Sequence, residues 1–171
     1  SIATVSYVLN GNKYVSREYQ EKVWKAVKEL GYQPNILAQS LRKQETKEIG
    51  VIFQNIRNLF FIDVMRGIED VLRQYNYSAV YVDSGYNIER EKKAIARLRS
   101  RWVDGIILYS CVTEDNKDTH GEYLQKHAEK SIPIISIDRD FRKYGLPLVT
   151  SDQEKAAYLI TTHLISCGRT N

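Results

Sequence analysis

The fold class of this chain is decided by residues 49–53, Ile49-Gly50-Val51-Ile52-Phe53. A short, unbroken apolar run of this kind is typical of a strand that is buried on both faces of a sheet. A longer segment with helical periodicity follows at about 60–75. Because a strand followed by a helix is the unit from which parallel sheets are built, these residues predict the start of an α/β domain.

The same unit repeats toward the C-terminus. Further strands are predicted at 79–82, 105–109, 134–137 and 148–150. Further helices are predicted at 88–101, 123–130 and 153–166. This alternation predicts a mostly parallel sheet with helices on both faces.

The N-terminal residues carry a different pattern. Residues 3–11 read Ala-Thr-Val-Ser-Tyr-Val-Leu-Asn-Gly, and Val5, Val8 and Leu9 have the spacing that turns one helical stripe toward a core. The outward positions would then be Thr4, Ser6, Tyr7 and Asn10. From these residues alone, the pattern favours a small amphipathic helix on a protein surface, because the helix-turn-helix signal is weak in so short a segment.

A second helix is predicted from an N-cap at Ser16 to about Leu30, with Gly31 as its stop. Pro34 then breaks the chain, since proline disfavours helix in the residue before it. A shorter helical pattern at 35–43 is interpreted as a hinge.

The composition, 43% hydrophobic and 27% charged, is that of an ordinary soluble globular protein. The net charge of +4 is concentrated in residues 1–48, which hold eight Lys or Arg against five Asp or Glu. That excess favours a nucleic-acid partner for the N-terminal part. We expect a cytoplasmic protein, because no leader is visible and the distant Cys111 and Cys167 suit reduced thiols.

Catalytic patterns find little support. None of the nine glycines forms a dinucleotide-binding or phosphate loop, which disfavours a Rossmann-type enzyme. His120, His127 and His163 lack the spacing of a zinc or nucleophile motif. The sequence therefore predicts no enzyme, no cofactor and no metal site.

Residues 3–11 resemble the recognition helix of the LacI/GalR family of bacterial transcription regulators, and the likeness continues in register through almost all 171 residues. The positions that match the family's T-V-S-x-V-x-N signature, with the leucine inside it, are Thr4, Val5, Ser6, Val8, Leu9 and Asn10. The resemblance implies an α/β fold in which a partial all-α helix-turn-helix headpiece precedes a periplasmic-binding-protein-like N-subdomain.

The resemblance also implies roles in DNA binding. Phosphate contacts would come from Thr4, Ser6 and Asn10. Base-edge contacts would come from Ile2, Ala3 and Tyr7. Tyr7 departs from the arginine of several relatives, which puts guanine recognition at that position in doubt.

The pattern Pro34-Asn35-Ile36-Leu37-Ala38-Gln39-Ser40-Leu41-Arg42 resembles the family's hinge helix, which lies in the minor groove at the centre of an operator. Leu41 matches the wedge leucine, which unstacks two base pairs and bends the duplex. Asn35, Ala38 and Arg42 are expected to face the groove with it. The alternative is an interdomain linker whose leucine packs on its neighbour.

Four residues are implied in effector binding. Asn58, Phe60 and Phe61 follow the first strand, where aromatic rings would stack on a sugar-like ring and the amide would orient it. Arg139, after the strand at 134–137, would donate to hydroxyl pairs or a carboxylate. The alternatives are that both rings belong to the core and that Arg139 is an ordinary loop charge.

We therefore expect a partial DNA-binding headpiece at 1–33, a hinge helix and linker at 34–47, and the N-terminal subdomain of an effector-binding core at 48–171, with both ends truncated. The predicted function is a homodimeric repressor whose affinity for operator DNA is set by a sugar-like effector. A solute-binding module with no regulatory role is the alternative, and residues 3–42 argue against it.

Overall fold

The computed structural model describes residues 1–32, 45–128 and 132–169. The chain divides into two compact units, Ser1–Gln44 and Glu45–Asn171. The predicted hinge helix falls almost entirely within 33–44 and lies outside the described residues.

The N-terminal unit contains two described helices. Helix α1 spans Ile2–Asn10, and the Ser1 hydroxyl caps it by accepting a hydrogen bond from the Thr4 N–H at 3.3 Å. Gly11 ends α1 in the left-handed conformation. Helix α2 spans Arg17–Glu29, close to the predicted bounds.

The predicted stop at Gly31 is confirmed. Gly31 has a φ of 57°, and its N–H donates to the Lys28 carbonyl at 3.4 Å. The N–H of Tyr32 donates to the Val27 carbonyl at 3.0 Å. This pair of bonds satisfies carbonyl groups that the end of a helix otherwise leaves open.

The predicted sidedness of α1 is wrong in part. Val5, expected to face a core, is 41% exposed, whereas Thr4, Ser6 and Tyr7, expected to face outward, are half-buried. Val5 nonetheless borders an open groove of about 350 Å³ between α1 and α2, so it lies on the side of α1 that faces α2. The apolar side chains of α2 that line this groove are Val23, Ala26, Val27 and Leu30.

The C-terminal unit alternates strands and helices as predicted. Its strands are β1 (Glu48–Phe53), β2 (Ser78–Asp83), β3 (Gly105–Leu108), β4 (Ile134–Ile137) and β5 (Leu148–Val149). Its helices are α3 (Phe60–Gln74), α4 (Ile88–Ser100), α5 (Lys117–Ala128) and α6 (Gln153–Ser166). Short 3-10 turns lie at Glu114–Asn116 and Arg142–Tyr144.

The five strands form one sheet in the order β2-β1-β3-β4-β5, and every adjacent pair is parallel. Val51 in β1 lies opposite Tyr81 in β2 and Ile107 in β3. The apolar run at 49–53 is thus an interior strand, and it contains no alternating polar residues because both faces of the sheet are covered.

The two faces of the sheet carry separate cores. On one face, Ile52, Ile106 and Leu108 pack with α4 and α5. The buried side chains that these two helices contribute are Ala94, Ile95, Leu98 and Leu124. On the other face, Val51 and Phe53 pack against Phe61 of α3. Helices on both faces are therefore confirmed.

Helix α5 begins six residues before its predicted start at 123. Thr113 and Asn116 form a reciprocal cap that leads through a 3-10 turn into the helix at Lys117. Gly121 lies inside α5, where the ring of Tyr144 packs against it. The close approach of that ring explains why this helical position holds a glycine.

Helix α6 matches its predicted bounds but contributes nothing to either core. Every residue of α6 is exposed. Its large apolar side chains are between 50% and 70% exposed, namely Tyr158, Leu159, Ile160, Leu164 and Ile165. Within the described residues, α6 is a helix whose apolar side chains have no covering partner.

Two helical glycines give opposite predictions for substitution by alanine. A Cβ at Gly121 would overlap the Tyr144 ring, so Gly121→Ala should lower the free energy of unfolding by about 2 kcal/mol despite its better helix propensity. A Cβ at Gly67 in α3 would meet no atom within 4 Å, so Gly67→Ala should raise it by about 0.5–1 kcal/mol. Urea unfolding of both variants measures these changes in free energy of unfolding, and equal changes in the two variants would contradict the packing at Gly121.

Candidate functional site

The strands' carboxyl ends meet at one edge of the sheet. From β1 the chain moves to β2 on one side and then to β3 on the other, so the order reverses between β1 and β3. Ligands of open parallel sheets bind in the crevice at such a switch point. The loops that flank it are 54–59, after β1, and 109–113, after β3.

The loop after β1 is fixed by its own amides. The Asn58 side-chain oxygen accepts a hydrogen bond from the Phe60 N–H at 3.1 Å, and its carbonyl accepts one from the Phe61 N–H at 3.0 Å. Gln54 is buried and donates from Nε2 to the Ser110 carbonyl, which ties this loop to the loop after β3. Asn58 therefore helps to start α3, and its side-chain oxygen is already engaged.

The predicted aromatic pair divides into one exposed and one buried ring. Phe60 is 55% exposed, whereas Phe61 is 2% exposed. Phe61 has its ring centroid 4.5 Å from that of Phe53 and 4.8 Å from that of Tyr109. Phe61 thus follows the core alternative, because neighbouring rings occupy the faces that a ligand would need. Phe60 packs edge-on against Phe61 and keeps an open surface.

Tyr109 and Asp138 join this edge, and neither was among the predicted site residues. Tyr109 directly follows β3 and is half-buried. Burial raises the pKa of its phenol, and the nearby Asp138 carboxylate raises it further. Asp138 has a φ of 58°, and its carboxylate accepts a hydrogen bond from the Thr150 hydroxyl at 2.9 Å. The signal available in the sequence was the position of each residue at the end of a predicted strand: Tyr109 is the last residue of the strand predicted at 105–109, and Asp138 follows the one at 134–137.

Arg139 is exposed, and it lies near enough to Tyr109 for its charge to oppose the rise in that residue's pKa. The Arg139 carbonyl accepts a hydrogen bond from the Ser136 hydroxyl at 2.6 Å, which holds the backbone of the turn after β4. The edge therefore presents an exposed ring, a phenol, a carboxylate and a guanidinium. This set suits a small polyhydroxylated ring, with apolar stacking on one side and fixed polar partners on the other.

A buried ionic cluster lies beneath this edge. Glu91 of α4 is fully buried and accepts hydrogen bonds from the Ser110 hydroxyl at 2.8 Å and the Cys111 N–H at 2.8 Å. His120 Nε2 of α5 lies 2.7 Å from the same carboxylate. Glu91 thereby connects α4, the loop after β3, and α5.

The hydrogen bonds of this cluster set its charge state. Burial alone would raise the pKa of Glu91, but the bonds from His120, the Cys111 N–H and Ser110 hold it below its ordinary value. Burial and the adjacent Glu91 carboxylate raise the pKa of the Cys111 thiol to about 12. Cys111 is therefore a neutral thiol at neutral pH.

The predicted DNA-reading residues lie on α1. Ile2 is 92% exposed and Ala3 is exposed, so the start of the helix is open to a partner. Thr4 and Ser6 are half-buried, and the half-buried ring of Tyr7 has Lys13 Nζ 5.1 Å from its centroid. Asn10 is the last residue of α1. The predicted hinge contacts Asn35, Ala38, Leu41 and Arg42 lie outside the described residues.

The described residues contain no group of three His, Cys, Asp or Glu side chains placed to hold a metal ion. No helix in that part of the chain is long and apolar enough to cross a bilayer.

Two family models match the chain. Residues 1–35 match the bacterial regulatory proteins of the lacI family. Residues 46–171 match the periplasmic binding proteins and sugar binding domain of the LacI family.

Individual relatives agree with these matches. The HTH-type transcriptional regulator RegA of Clostridium saccharobutylicum is 39% identical, over 98% of this chain and 49% of the relative. The ribose operon repressor of Halalkalibacterium halodurans is 36% identical, over 98% of this chain and 48% of the relative. The chain thus spans about half the length of the curated relatives it matches.

Among solved structures, the lac repressor dimer bound to operator and the anti-inducer ONPF superposes with a TM-score of 0.82. That match covers 98% of this chain and 49% of the other, at 24% sequence identity. At this identity the likeness supports the fold alone.

Replacing the buried carboxylate should reveal its contribution through pH. Glu91→Gln should lower the free energy of unfolding at pH 7 by about 3 kcal/mol, because an amide cannot accept from all three donors. A carboxylate with a lowered pKa stabilises the fold above its ordinary value of 4.5, and that contribution is lost as pH falls through the lowered value. The difference in free energy of unfolding between the wild type and Glu91→Gln, measured by urea unfolding, should therefore become smaller in acid.

Glu89→Gln is the matched control, since Glu89 lies on the same helix but pairs with Lys92 at the surface. Its effect should stay below about 0.5 kcal/mol. If the free energy of unfolding lost in Glu91→Gln does not change with pH, the ionic role of Glu91 is contradicted.

Proposed function

The chain belongs to the LacI family of bacterial regulatory proteins, and from this membership we propose that the whole protein is a DNA-binding transcription repressor whose operator affinity is set by a sugar-like effector. The observation that carries the proposal is that the DNA-binding match at 1–35 and the sugar-binding match at 46–171 occur in one chain. A solute-binding module has no need of the first match. The named relatives are transcription regulators, and we assign the protein no catalytic role and a cytoplasmic location.

The proposed division of labour follows the chain. Residues 1–33 read DNA as a partial headpiece, 34–47 form the hinge and linker, and 48–171 are one subdomain of the effector-binding core. The boundary between compact units after Gln44 supports a division near the linker. The longer relatives support a core that has further residues beyond this half.

In the headpiece, Ile2, Ala3 and Tyr7 contact base edges, and Thr4, Ser6 and Asn10 contact phosphates. The exposure of Ile2 and Ala3 at the start of α1 supports this, since recognition helices present their N-terminal residues to the major groove. Backbone N–H groups at the same end favour an anionic neighbour. In the hinge, Leu41 is the wedge in the minor groove, and Asn35, Ala38 and Arg42 lie beside it.

The effector binds at the carboxyl edge between β1 and β3. Phe60 stacks on a sugar-like ring, and Asn58 and Arg139 contribute beside it through polar contacts. Phe61 acts indirectly, since it supports Phe60 and Tyr109 from the core. The ribose operon repressor among the relatives supports a sugar or sugar derivative as the class of ligand.

The protein is proposed to act as a homodimer that pairs through α3, around residues 65–73. An exposed apolar side chain supports this surface: Val71 is 53% exposed. A dimer places two recognition helices on a pseudo-palindromic operator.

Selection from a randomised duplex pool with the full-length protein tests the proposal. The expected result is a palindrome with a flexible central step, confirmed by fluorescence anisotropy of the selected duplexes at several salt concentrations. Recovery of no sequence, or binding that depends on salt alone, would overturn the repressor and favour the solute-binding module.

The wedge is tested on the selected operator. Leu41→Ala should remove most of the preference for this operator over random DNA, while salt-dependent nonspecific binding stays unchanged. Leu37→Ala, in the same segment, serves as the control and should retain the preference. Equal behaviour of the two variants would mean that Leu41 is an ordinary linker residue.

The effector site is tested at its exposed ring. A thermal-shift screen of monosaccharides and their phosphates supplies the ligand, and calorimetry measures its dissociation constant. Phe60→Ala should weaken binding about tenfold, because one aromatic stacking contact is worth about 1–1.5 kcal/mol. Tyr75→Ala removes a 68% exposed ring at the other end of α3 and should leave binding unchanged. Unaltered binding by Phe60→Ala would remove Phe60 from the site.

A further inference from the structure

The chain is fixed at the point where it enters the C-terminal unit, before the first strand begins. Asp104, a half-buried residue just before β3, accepts hydrogen bonds from the Thr46 N–H at 2.9 Å and the Lys47 N–H at 3.0 Å. The Thr46 hydroxyl lies 2.9 Å from the Trp102 carbonyl oxygen and 3.2 Å from Asp104 Oδ1. We call these four residues the junction clamp.

The junction clamp is tied to both neighbours of β1. The Lys47 carbonyl accepts a hydrogen bond from the Ser78 N–H at 2.9 Å, at the start of β2. The Asp104 N–H donates to the Glu48 carbonyl at 2.8 Å, at the start of β3. Lys47 is thus bonded to the first residue of β2, and Thr46 and Lys47 are both bonded to the residue that precedes β3, although they belong to no strand themselves.

Two residues of the clamp adopt a backbone conformation that favours glycine. Lys47 has a φ of 58° and Trp102 a φ of 60°. Trp102 follows the end of α4, where glycine usually makes this turn, and its side chain is 73% exposed, so little burial offsets the strain.

The clamp also lies on the strands that carry the effector edge. It joins the amino ends of β1 and β3, and the candidate cleft lies between the carboxyl ends of the same two strands. A change in the spacing of β1 and β3 at the cleft would therefore reach the clamp through two short, hydrogen-bonded strands. This is a contiguous route from one end of the sheet to the other.

We propose that the junction clamp positions the chain where it leaves the sheet toward the DNA-reading unit, and that Asp104 and Thr46 thereby couple the effector cleft to operator binding. The inference rests on the proposed function. It assigns Asp104 and Thr46 as positioning residues that contact neither DNA nor effector.

The test uses the full-length protein with three clamp variants. Asp104→Ala removes the carboxylate, Thr46→Val removes the hydroxyl at nearly constant shape, and Thr46→Ser restores that hydroxyl. Thr119→Val, at an exposed threonine of α5, is the control for the Thr→Val change. Three quantities are measured: amide exchange at residues 46 and 47, the dissociation constant of the selected duplex with and without the sugar hit, and the dissociation constant of that sugar.

For Asp104→Ala we expect faster exchange at both amides and operator affinity weakened about tenfold, because only molecules with an ordered junction bind well. The sugar's effect on operator affinity should shrink as well, while affinity for the sugar itself should change less than about twofold. Thr46→Val should show a smaller loss, and Thr46→Ser should restore normal binding. If the substitution only lengthened the flexible segment between the two units from about a dozen residues by three, the effective concentration of the DNA-reading unit would fall only about 1.4-fold.

Three outcomes would overturn the proposal. Unchanged exchange at residues 46 and 47 would mean that Asp104 does not hold them. Faster exchange with operator affinity within about twofold of normal would make the clamp a purely structural feature. Equal losses of sugar and operator affinity would indicate general loosening of the unit. Failure to select any duplex would instead reject the proposed function, and amide exchange would still report on the clamp.

Discussion

The buried carboxylate of Glu91 is the charge on which the ligand edge of the sheet depends. A carboxylate can stay ionised away from water only if donors surround it, and here the donors come from different elements: the loop after β3 and helix α5. Those elements must therefore stay together for the charge to remain buried. Gln54 extends the constraint to the loop after β1, since it donates to the carbonyl of Ser110.

This constraint separates the supported parts of the candidate site from its open parts. Tyr109 packs against Phe61 and the core beneath it, so its position does not depend on a bound ligand. Phe60 and Arg139 project from the same framework and remain exposed. A site of this kind loses little order on binding, because the walls are fixed and few side chains have to be immobilised.

Sequence patterns predicted the helices and strands well and the tertiary contacts between them poorly. The apolar run of β1 and the periodicity of α4 are local signals, and both elements lie within a residue or two of the prediction. The start of α5 at Lys117 was missed, and the presence of Gly121 in this helix depends on a ring from a turn 23 residues later. Strand order and pairing are long-range properties that no local pattern contains.

The candidate site shows the same division. Phe60 and Phe61 are adjacent in sequence and chemically alike, so only the packing of Phe53 and Tyr109 distinguishes the exposed ring from the buried one. Asp138 comes near Tyr109 because their strands are neighbours in the sheet. His120 was one of three scattered histidines in the sequence, and its partner Glu91 lies on another helix.

The uncovered helix α6 has a consequence for handling the chain in solution. Its leucine and isoleucine side chains leave apolar surface open to water along one helix. Such a surface is covered by self-association when nothing else covers it, and salts that strengthen hydrophobic contacts promote this. These 171 residues on their own should therefore form concentration-dependent aggregates, and light scattering should rise on addition of sulfate.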